Sequence, residues 1–349
     1  MENTKRVFWI NGSPSGKASN SRRLAKFFLE GYCESCNAIV SEFICADHNI
    51  SPCTGCRFCW RNSEGKCIQE DDMDEFIASY LSADVLVWSF PVYMYSVPAI
   101  AKSVIERLLP CLYAELEISE EQQTIHKKRW LRKAHEIYVL ATAGFYNTAS
   151  NTESVEKLFS LLYPEDITTI YCTEGDLLTN SFLRYYTDMY LSNVKSAGKE
   201  AAFQGTISEV TKQILLQPIL PLEKYLQFTN LQGIYRLKDE PADVWKRRKL
   251  QSFMRCLSLT YRPELLSVER AVIAFDITDK NYQCELILSK NGVVFMEDEN
   301  SDYDLLVTAS RNFFASSKRE SPNQKAELDW LVQVANRCAS RKRPMHLKF

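Results

Sequence analysis

The chain has 349 residues, of which 46% are hydrophobic and 25% are charged. This composition is typical of a soluble globular protein, and the length predicts about two domains of roughly 150 residues each. Its 42 Lys and Arg residues nearly balance its 44 Asp and Glu residues, which leaves a formal net charge of −2. A dedicated nucleic-acid-binding protein would need a basic excess that this chain lacks, and no apolar run reaches the ~18–20 residues of a membrane span.

The cysteine content indicates the cellular compartment. The first apolar run, Val7–Ile10, is only four residues long, which is too short for the apolar region of a signal peptide. The chain has 12 cysteines, and without an export signal they are expected to stay reduced. We therefore expect a cytoplasmic protein, in which clustered cysteines indicate a metal or redox site before they indicate disulfides.

The first half of the chain alternates between short apolar runs and segments with helical spacing. The predicted strands are Val7–Ile10, Ala38–Ile44, Val85–Phe90, Ile137–Ala141 and Ile167–Cys172. The predicted helices are Asn20–Tyr32, Asp72–Leu81, Val97–Leu108 and Ser154–Leu162. Because amphipathic helices separate strands that lack in/out alternation, the pattern predicts a doubly wound α/β domain with a five-stranded parallel sheet. The polar segment Glu115–Arg132 interrupts the pattern, and we interpret it as an insertion that could form a helix.

The second half of the chain changes in character. Residues Ser181–Tyr225 predict long helices, and the charged run 246–249 predicts a solvated helix face. Four strands and a closing helix follow, at Ala271–Ile277, Cys284–Ser289, Val293–Met296, Asp304–Thr308 and Glu327–Cys338. The pair Asn291-Gly292 predicts a type I′ hairpin turn between two of these strands.

These patterns divide the chain into three parts. We predict an α/β domain at residues 1–200, a helical linker region at 201–262 and a smaller α+β domain at 263–349. The basic tail at 341–343 is expected to be disordered rather than functional.

A loop rich in small and hydroxyl residues links the first predicted strand to the first helix. It covers residues 11–21 and has the sequence NGSPSGKASNS. Backbone N–H groups and hydroxyls at a helix N-terminus bind anions, so this loop predicts a phosphate site built mainly from neutral donors. It is neither a G-x-G-x-x-G fingerprint nor a P-loop, because three residues separate its glycines and alanine follows its lysine. The alternative is a polar loop in which Ser19 or Asn20 only caps the helix.

Two further loops follow predicted strands, PVYMYSVP at residues 91–98 and TAGFYN at residues 142–147. Ligands of open α/β sheets bind at the carboxyl ends of the strands. There, Tyr93 or Tyr95 could stack on a flat ring, and Gly144 would let the backbone approach the edge of that ring. The alternative for the first loop is ordinary packing under the following helix. One loop for phosphate and two for a flat ring predict a mononucleotide site such as that of FMN.

Three of these segments resemble the NAD(P)H-dependent FMN reductase family of the flavodoxin-like superfamily. They are INGSPSGKASNS after the first strand, FPVYMYSVPAIAKSVIERL around the third and TAG after the fourth. The resemblance covers about residues 5–200. It implies a flavodoxin-like fold, non-covalent FMN, and two-electron transfer from NAD(P)H to a quinone, a free flavin or another acceptor.

The same resemblance implies which residues contact FMN. By position, the phosphate would be held by Ser13, Ser15, Asn20 and Ser21. The isoalloxazine would be flanked by Pro91, Val92, Tyr93 and Met94, with Ala143 and Gly144 along its polar edge. No catalytic side chain is predicted, because in such enzymes the cofactor carries the chemistry.

The densest chemical pattern in the chain is CTGCRFCWRNSEGKC, which contains Cys53, Cys56, Cys59 and Cys67. Three thiolates at this spacing can surround one small inorganic core and a fourth can close the site, whereas zinc sites usually use two separate C-x-x-C pairs. The pattern resembles the compact cysteine motif of iron–sulfur flavoproteins, a branch of the same family, and this implies a [4Fe–4S] cluster near FMN. Reduced thiols that pack or line the pocket, a zinc site and a redox disulfide remain alternatives.

About residues 246–320 resemble the sterol-carrier-protein-type lipid-binding domain, in the segments VIAFDITDKNYQCELIL, KNGVVF and DYDLLVTAS. This resemblance implies a small sheet backed by helices around an apolar tunnel. A structural role, such as burying a dimer surface, is the alternative.

Together these patterns predict a cytoplasmic, homo-oligomeric oxidoreductase with FMN, NAD(P)H as co-substrate and a [4Fe–4S] cluster. Its expected partner is a small-molecule electron acceptor or a redox protein, with no nucleic acid and no membrane span. One alternative is an iron–sulfur flavoprotein that carries single electrons between protein partners. The other is a non-enzymatic lipid- or ligand-binding protein that uses the C-terminal domain.

Overall fold

The computed structural model describes most of the chain as two compact units. The described residues are 4–62, 65–119, 122, 124–131, 134, 136–163, 167–180, 183–232, 241–278, 282–297, 302–309, 328–341 and 344–348. Unit 1 consists of Met1–Thr179 and Tyr185–Ile219, and unit 2 consists of Asn180–Arg184 and Leu220–Phe349. Within the described ranges, no helix combines the length and apolar character that a membrane crossing requires.

Unit 1 is built on a five-stranded parallel sheet. Its strands, with those of a separate hairpin, are β1 (Lys5–Asn11), β2 (Ala38–Ile44), β3 (Val85–Pro91), β4 (Leu112–Ile118), β5 (Thr124–Lys128), β6 (Glu136–Thr142) and β7 (Ile167–Cys172). The strand order in the sheet is β2-β1-β3-β6-β7, and every neighbouring pair is parallel. The predicted doubly wound sheet is thereby confirmed, and its order is that of the flavodoxin-like fold.

Helices cover both faces of this sheet. They are α1 (Asn20–Ser35), α2 (Phe58–Arg61), α3 (Met73–Ser82), α4 (Ala99–Glu106), α5 (Glu153–Leu162), α6 (Arg184–Gln204) and α7 (Glu209–Leu215). On one face, the Trp88 ring of β3 packs between Phe76 of α3 and Phe159 of α5. On the other face, the Tyr138 ring of β6 lies 5.0 Å from the Phe28 ring of α1. Strands β1, β3 and β6 are largely apolar on both sides because both of their sides are buried, whereas the edge strand β2 is exposed or half-buried over most of its length.

Helices α1 and α6 touch each other through glycines. A Cβ atom at Gly198 would lie 1.9 Å from the backbone oxygen of Phe28, and one at Gly31 would lie 1.9 Å from the backbone oxygen of Lys195. The hydroxyl of Tyr138 also donates a hydrogen bond to the backbone oxygen of Ala201 in α6, at 3.3 Å. Helix α6 is therefore an integral part of the packing of unit 1.

We expect Gly198→Ala to lower the free energy of unfolding of unit 1 by about 3 kcal/mol, the upper end of the usual cost of overpacking. The added methyl group meets a backbone carbonyl, which cannot rotate away as a flexible side chain would. Urea titration followed by tryptophan fluorescence measures the loss. The control is Ser196→Ala, at an exposed position of the same helix, which should change stability by less than about 0.5 kcal/mol. Equal stability of the two variants would show that α1 and α6 do not meet at Gly198.

The interpretation of segment 115–132 as a helix is wrong. Strands β4 and β5 form a two-stranded antiparallel sheet of their own. The ammonium group of Lys127 in β5 lies 3.8 Å from the carboxylate of Glu115 in β4. The charged residues of this segment therefore pair across two strands. The hairpin also contacts α2, where the Trp60 and His126 rings lie 4.8 Å apart.

Unit 2 combines helices with a sheet, the α+β character predicted for the C-terminal part of the chain. Its elements are α8 (Leu222–Gln232), α9 (Ala242–Leu259), β8 (Arg270–Ile277), β9 (Tyr282–Ser289), β10 (Gly292–Glu297), β11 (Leu305–Ala309), α10 (Leu328–Arg341) and β12 (Met345–Lys348). The strand order is β10-β9-β8-β11-β12, with β8–β10 antiparallel and β11 parallel to both of its neighbours. Its core includes Met254 and Leu257 of α9 and Leu331 and Ala335 of α10.

Two details of unit 2 differ from the sequence prediction. Strands β9 and β10 do form a hairpin, with Ser289 opposite Gly292, but the predicted type I′ turn is wrong. A type I′ turn over residues 289–292 needs positive φ at both central residues, Lys290 and Asn291. Neither has it, and within the turn only Gly292 has a positive φ, at 138°. Strand β12 was not predicted, since it follows the basic tail. Lys342 and Arg343 of that tail, and Glu327 before α10, lie outside the described residues.

Candidate functional site

The carboxyl ends of the strands in unit 1 open into a cleft of about 320 Å³. The loops that follow β1, β3, β6 and β7 line it. All of the predicted FMN-contact residues except Met94 are among the lining residues. The volume lies within the range of about 300–1,000 Å³ that small-molecule and cofactor sites occupy. The edge of the sheet is also the expected one, because open α/β sheets bind ligands at the carboxyl ends of their strands.

The loop after β1 is held by hydrogen bonds that leave donors for a ligand. The Ser13 hydroxyl accepts from the Ser15 N–H at 3.3 Å, and the Ser19 hydroxyl accepts from the Arg22 N–H at 3.1 Å. Ser19 thus caps α1, as the alternative interpretation expected, but it also lines the cleft. Both bonds use the hydroxyl oxygen as an acceptor, so each hydroxyl hydrogen can be donated to an anion in the cleft.

Two basic side chains near this loop are paired with carboxylates. Arg22 donates two hydrogen bonds to Glu42, each at 2.8 Å, and this bonding raises the pKa of Arg22 above its ordinary value. Lys17 is largely exposed and lies 3.7 Å from Asp47. A phosphate in the cleft would therefore depend mainly on hydroxyl, amide and backbone donors and on the N-terminus of α1.

The aromatic loop after β3 divides into residues that line the cleft and residues that do not. Tyr93 lines it and is half exposed. The structure does not bring Met94 into the cleft, and its side chain is 88% exposed. Tyr95 stacks on Phe145, with ring centroids 5.7 Å apart. Met94 and Tyr95 both have positive φ, at 46° and 65°, a strained conformation of the kind found at ligand sites.

We expect Tyr93→Leu to weaken FMN binding about 2- to 10-fold, the equivalent of one aromatic contact of roughly 0.5–1.5 kcal/mol. The flavin absorption bands should shift as well, because a neighbour of the ring has changed. The melting temperature of the apoprotein should change little, since the side chain is half exposed. The measurements are a fluorescence titration with FMN and a thermal melt.

The matched control is Tyr95→Leu, in the same loop and with the same exposure but outside the cleft lining. It should affect FMN affinity less than Tyr93→Leu does. The opposite order, or a large loss of apoprotein stability with a normal flavin spectrum for Tyr93→Leu, would show that Tyr93 is a packing residue.

Backbone hydrogen bonds join the loop after β6 to the loop after β7. The Gly175 N–H donates to the backbone oxygen of Ala143 at 2.9 Å. This link brings the carboxylate of Asp176 to the cleft beside Gly144, where an added Cβ atom would lie 3.2 Å from Asp176 Oδ2. Asp176 therefore supplies a hydrogen-bond acceptor near the predicted polar edge of the ring.

The sequence prediction missed six residues of the cleft: Ala18, Ser19, Thr142, Gly175, Asp176 and Thr179. Three of them lie in the loop after β7, which was not considered. Its position could have revealed it, because it follows the carboxyl end of a predicted strand, as the other three loops do.

The four predicted ligand cysteines lie in a long connection between β2 and α3. We call residues Ser51–Asp71 the cysteine loop. Gly55 and Arg57 flank Cys56 and have positive φ, at 68° and 59°. Turns of this kind direct backbone N–H groups into concavities that bind anionic groups, iron–sulfur sites included. The hydrogen bond from the Phe58 N–H, followed by that from the Thr54 hydroxyl, lowers the pKa of Cys56, which is exposed.

The four cysteines influence one another electrostatically. Burial raises the pKa of Cys59, and the charges of Cys67, Cys53 and Cys56 act on it in the same direction. In the described part of the chain, no three His, Cys, Asp or Glu side chains are arranged around one metal position. The loop supplies four cysteines, the residue type that ligates iron–sulfur groups.

The remaining cysteines have a different environment. Six of them are buried: Cys45, Cys111, Cys172, Cys256, Cys284 and Cys338. Burial raises the pKa of Cys45, Cys111, Cys172 and Cys256 to about 12. Such thiols stay protonated at neutral pH, so these cysteines are small core residues.

Unit 2 has an open cleft of its own, of about 520 Å³. Its lining includes Leu231, Leu259 and Phe295, and the Arg255 guanidinium lies over the Phe295 ring at 5.7 Å. The resemblance of this unit to lipid-carrier domains stays a prediction.

Comparison with known proteins gives curated relatives that match about 30% of the chain. The chain is 36% identical over 106 residues to an iron–sulfur flavoprotein of Methanocaldococcus jannaschii, which covers 30% of this chain and 52% of that protein. It is 34% identical over 101 residues to an iron–sulfur flavoprotein of Archaeoglobus fulgidus, which covers 29% of this chain and 44% of that protein. The chain thus spans about half the length of these curated relatives.

Solved structures with a similar arrangement include an FMN-dependent NADH-azoreductase from Bacillus anthracis in complex with FMN. Its TM-score is 0.43 at 16% identity, with 57% of this chain and all (100%) of that chain covered. An NAD(P)H:quinone oxidoreductase from Methanothermobacter marburgensis has a TM-score of 0.42 at 14% identity and covers 57% of this chain and 97% of that chain.

The family comparison agrees with the strand order of unit 1. Residues 5–166 match the family described as having a flavodoxin-like fold. The curated relatives are named as iron–sulfur flavoproteins. Residues 5–166 of this chain therefore have a flavodoxin-like fold, and the chain is similar in sequence to iron–sulfur flavoproteins.

Proposed function

We propose that this protein is an FMN-dependent oxidoreductase that passes electrons from NAD(P)H to a small acceptor, with an iron–sulfur group held by the cysteine loop. The cleft at the carboxyl ends of β1, β3, β6 and β7 carries the FMN assignment. One end of it offers neutral donors at a helix N-terminus, and the other offers a tyrosine ring and backbone. These two ends match a phosphate and a flat ring.

The residues at the phosphate end bind and orient. Ser13 and Ser19 would donate their hydroxyl hydrogens to phosphate oxygens, and the amide of Asn20 adds a further donor. Their positions are set by the bonds within the loop, so little rearrangement is needed on binding. The positive end of the α1 dipole favours the phosphate charge without a paired cation.

The residues at the ring end hold the flat part of the ligand. Tyr93 would lie along the ring, and the backbone at Ala143 and Gly144 would meet its edge. The Asp176 carboxylate would accept a hydrogen bond from a ring N–H or a ribityl hydroxyl. FMN, when bound, supplies the hydride acceptor, so the chain itself needs no nucleophile.

The cysteine loop supports the second part of the proposal. Cys53, Cys56, Cys59 and Cys67 would hold the iron–sulfur group, which supplies single-electron transfer when bound. Relatives that are 36% and 34% identical to this chain over about 100 residues are named as iron–sulfur flavoproteins, which supports this part of the proposal.

Anaerobic purification in the presence of iron and sulfide tests both parts together. We expect FMN in a one-to-one ratio with the chain and about four irons per chain, as a [4Fe–4S] cluster requires. NADH or NADPH oxidation should occur with a quinone or a free flavin as acceptor. Protein that binds no FMN would refute the proposal. Protein that holds FMN and iron but oxidises neither nucleotide would favour the electron-carrier alternative.

A further inference from the structure

A buried cation lies against the cysteine loop. Arg107 follows α4, and its side chain is 1% exposed. Its Nη1 donates to the backbone oxygen of Ser51 at 2.8 Å and to Oδ2 of Asp71 at 2.6 Å. Its Nη2 donates to Oδ1 of Asp71 at 2.8 Å. One guanidinium therefore contacts both the first and the last residue of the cysteine loop.

Asp71 completes this link from the other side. Its Oδ2 accepts from the Ser51 N–H at 3.1 Å, and its Oδ1 accepts from the Met73 N–H at 3.2 Å. Its side chain is 3% exposed. The ends of the loop are thus joined by an ion pair with two-point geometry and by backbone bonds to both of its members. We call Arg107 and Asp71 the clasp.

The clasp closes the end of the loop that carries a predicted ligand. Cys67 precedes Asp71 by four residues, and Asp71 is held by the Arg107 guanidinium at 2.6 and 2.8 Å. Nε of Arg107 is buried and has no hydrogen-bond partner among the described residues. A buried guanidinium with an unused donor, at the end of a loop that carries four cysteines, is suited to stabilise sulfur that carries negative charge.

Stability alone gives a weak reason for such a pair. Buried ion pairs can often be replaced by apolar residues with little loss, because removing two charges from water costs about as much as their attraction returns. A buried pair that joins the two ends of a loop with four thiols indicates a role in shaping that loop.

We propose that Arg107 and Asp71 are positioning residues that close the cysteine loop and hold Cys67 where it can ligate a metal group. The inference rests on the proposed iron–sulfur function and adds to it the part of the chain that prepares the site. In the metal-free protein the clasp keeps the two ends of the cysteine loop together. Binding of a metal group therefore does not have to bring these ends together at the same time. In the loaded protein the guanidinium offsets the charge of the thiolates.

The test compares three variants with the wild-type chain. Arg107→Met removes the cation, and the double variant Arg107→Met with Asp71→Leu removes both charges and leaves an apolar contact. The control is Lys5→Met, which removes the partly buried pair of Lys5 with Glu136. Lys5 begins β1, at the opposite end of the sheet from the cleft.

Iron retention is the first measurement. Each protein is loaded anaerobically with ferrous iron and sulfide and then exposed to an iron chelator. Both clasp variants should lose iron about 10- to 100-fold more readily than wild-type protein, the usual effect of removing an outer partner of a metal ligand. The Lys5→Met protein should retain iron as the wild-type protein does, and FMN content should be equal in all four.

Limited trypsin digestion of the metal-free proteins is the second measurement. Arg57, Arg61 and Lys66 are exposed cleavage sites within the cysteine loop. Cleavage there should be faster in both clasp variants, since the population of the open loop governs cleavage. If the pair only stabilised the fold, the result would differ. The double variant would then have a melting temperature and an iron retention close to those of the wild-type protein, unlike Arg107→Met.

The outcomes separate this inference from the proposed function. Wild-type protein that binds FMN but never iron would refute the metal site, and the positioning role would fall with it. A different result would overturn the positioning role alone. In that case the wild-type protein binds iron, the double variant retains iron equally well, and its cysteine loop is cleaved no faster.

Discussion

Asn20→Asp is expected to weaken FMN binding by about 1,000-fold. Asn20 lines the cleft at the start of α1, among the donors that we assign to the phosphate. Two unit charges about 4 Å apart repel by about 4 kcal/mol at the effective dielectric near a protein surface, which corresponds to about three factors of ten in Kd. The three cations nearest in the sequence cannot relieve this, because each lies beside a carboxylate. Arg22 is paired with Glu42, Lys17 lies beside Asp47, and Arg23 lies 3.5 Å from Asp188.

A fluorescence titration of the apoprotein with FMN measures this effect. Asn37→Asp is the matched control, since it adds the same charge at an exposed position just before β2, at the other end of the strands. Asn20→Ala, which removes the amide donor without adding charge, should cost about 1 kcal/mol, the worth of one hydrogen bond. Equal FMN affinity in Asn20→Asp and Asn37→Asp would place the phosphate elsewhere.

Cys56→Ala is expected to remove the iron from the protein while FMN stays bound. Cys56 is the exposed central cysteine of the loop, and its lowered pKa favours the thiolate that a metal requires. Losing one of four thiolates leaves an iron–sulfur group with an incomplete ligand set. The FMN cleft is lined by other loops, so its occupancy should not depend on Cys56.

Iron analysis and the broad absorbance near 400 nm beneath the flavin bands are the measurements, with FMN content determined on the same samples. Cys33→Ala is the matched control, because Cys33 is a partly exposed cysteine in α1 outside the cysteine loop. It should leave the iron content unchanged. Full iron content in Cys56→Ala, or a loss of iron in both variants alike, would refute the assignment of Cys56 as a ligand.

The parallel sheet could be predicted because its evidence is local. Strands β2 and β7 have the predicted bounds, Ala38–Ile44 and Ile167–Cys172. A short run of apolar residues between amphipathic segments predicts a strand of a covered parallel sheet, and β1, β3 and β6 are buried on both faces as this pattern requires. The carboxyl ends of parallel strands share one edge, so the loops after β1, β3 and β6 could be assigned to one site before any contact was known.

The hairpin at residues 112–128 shows where local patterns fail. Its alternating charges suit a solvated helix as well as a strand with one exposed face. What separates the two is the cross-strand pairing, including that of Glu115 with Lys127, which exists only once the chain has turned. Strand β12 was not predicted for the same reason. Its four residues, Met345–Lys348, form a strand by pairing with β11, which is distant in the sequence.

The sequence by itself determined the order of the buried strands, the polar loop before α1 and the spacing of the four cysteines. Tertiary structure alone decided that the loop after β7 brings Asp176 to the cleft and that Arg107 meets Asp71 across 36 residues of chain. Periodicity and spacing describe neighbours along the chain. A contact between distant residues forms only when packing compensates the entropy of closing the segment between them, and that compensation depends on the whole fold.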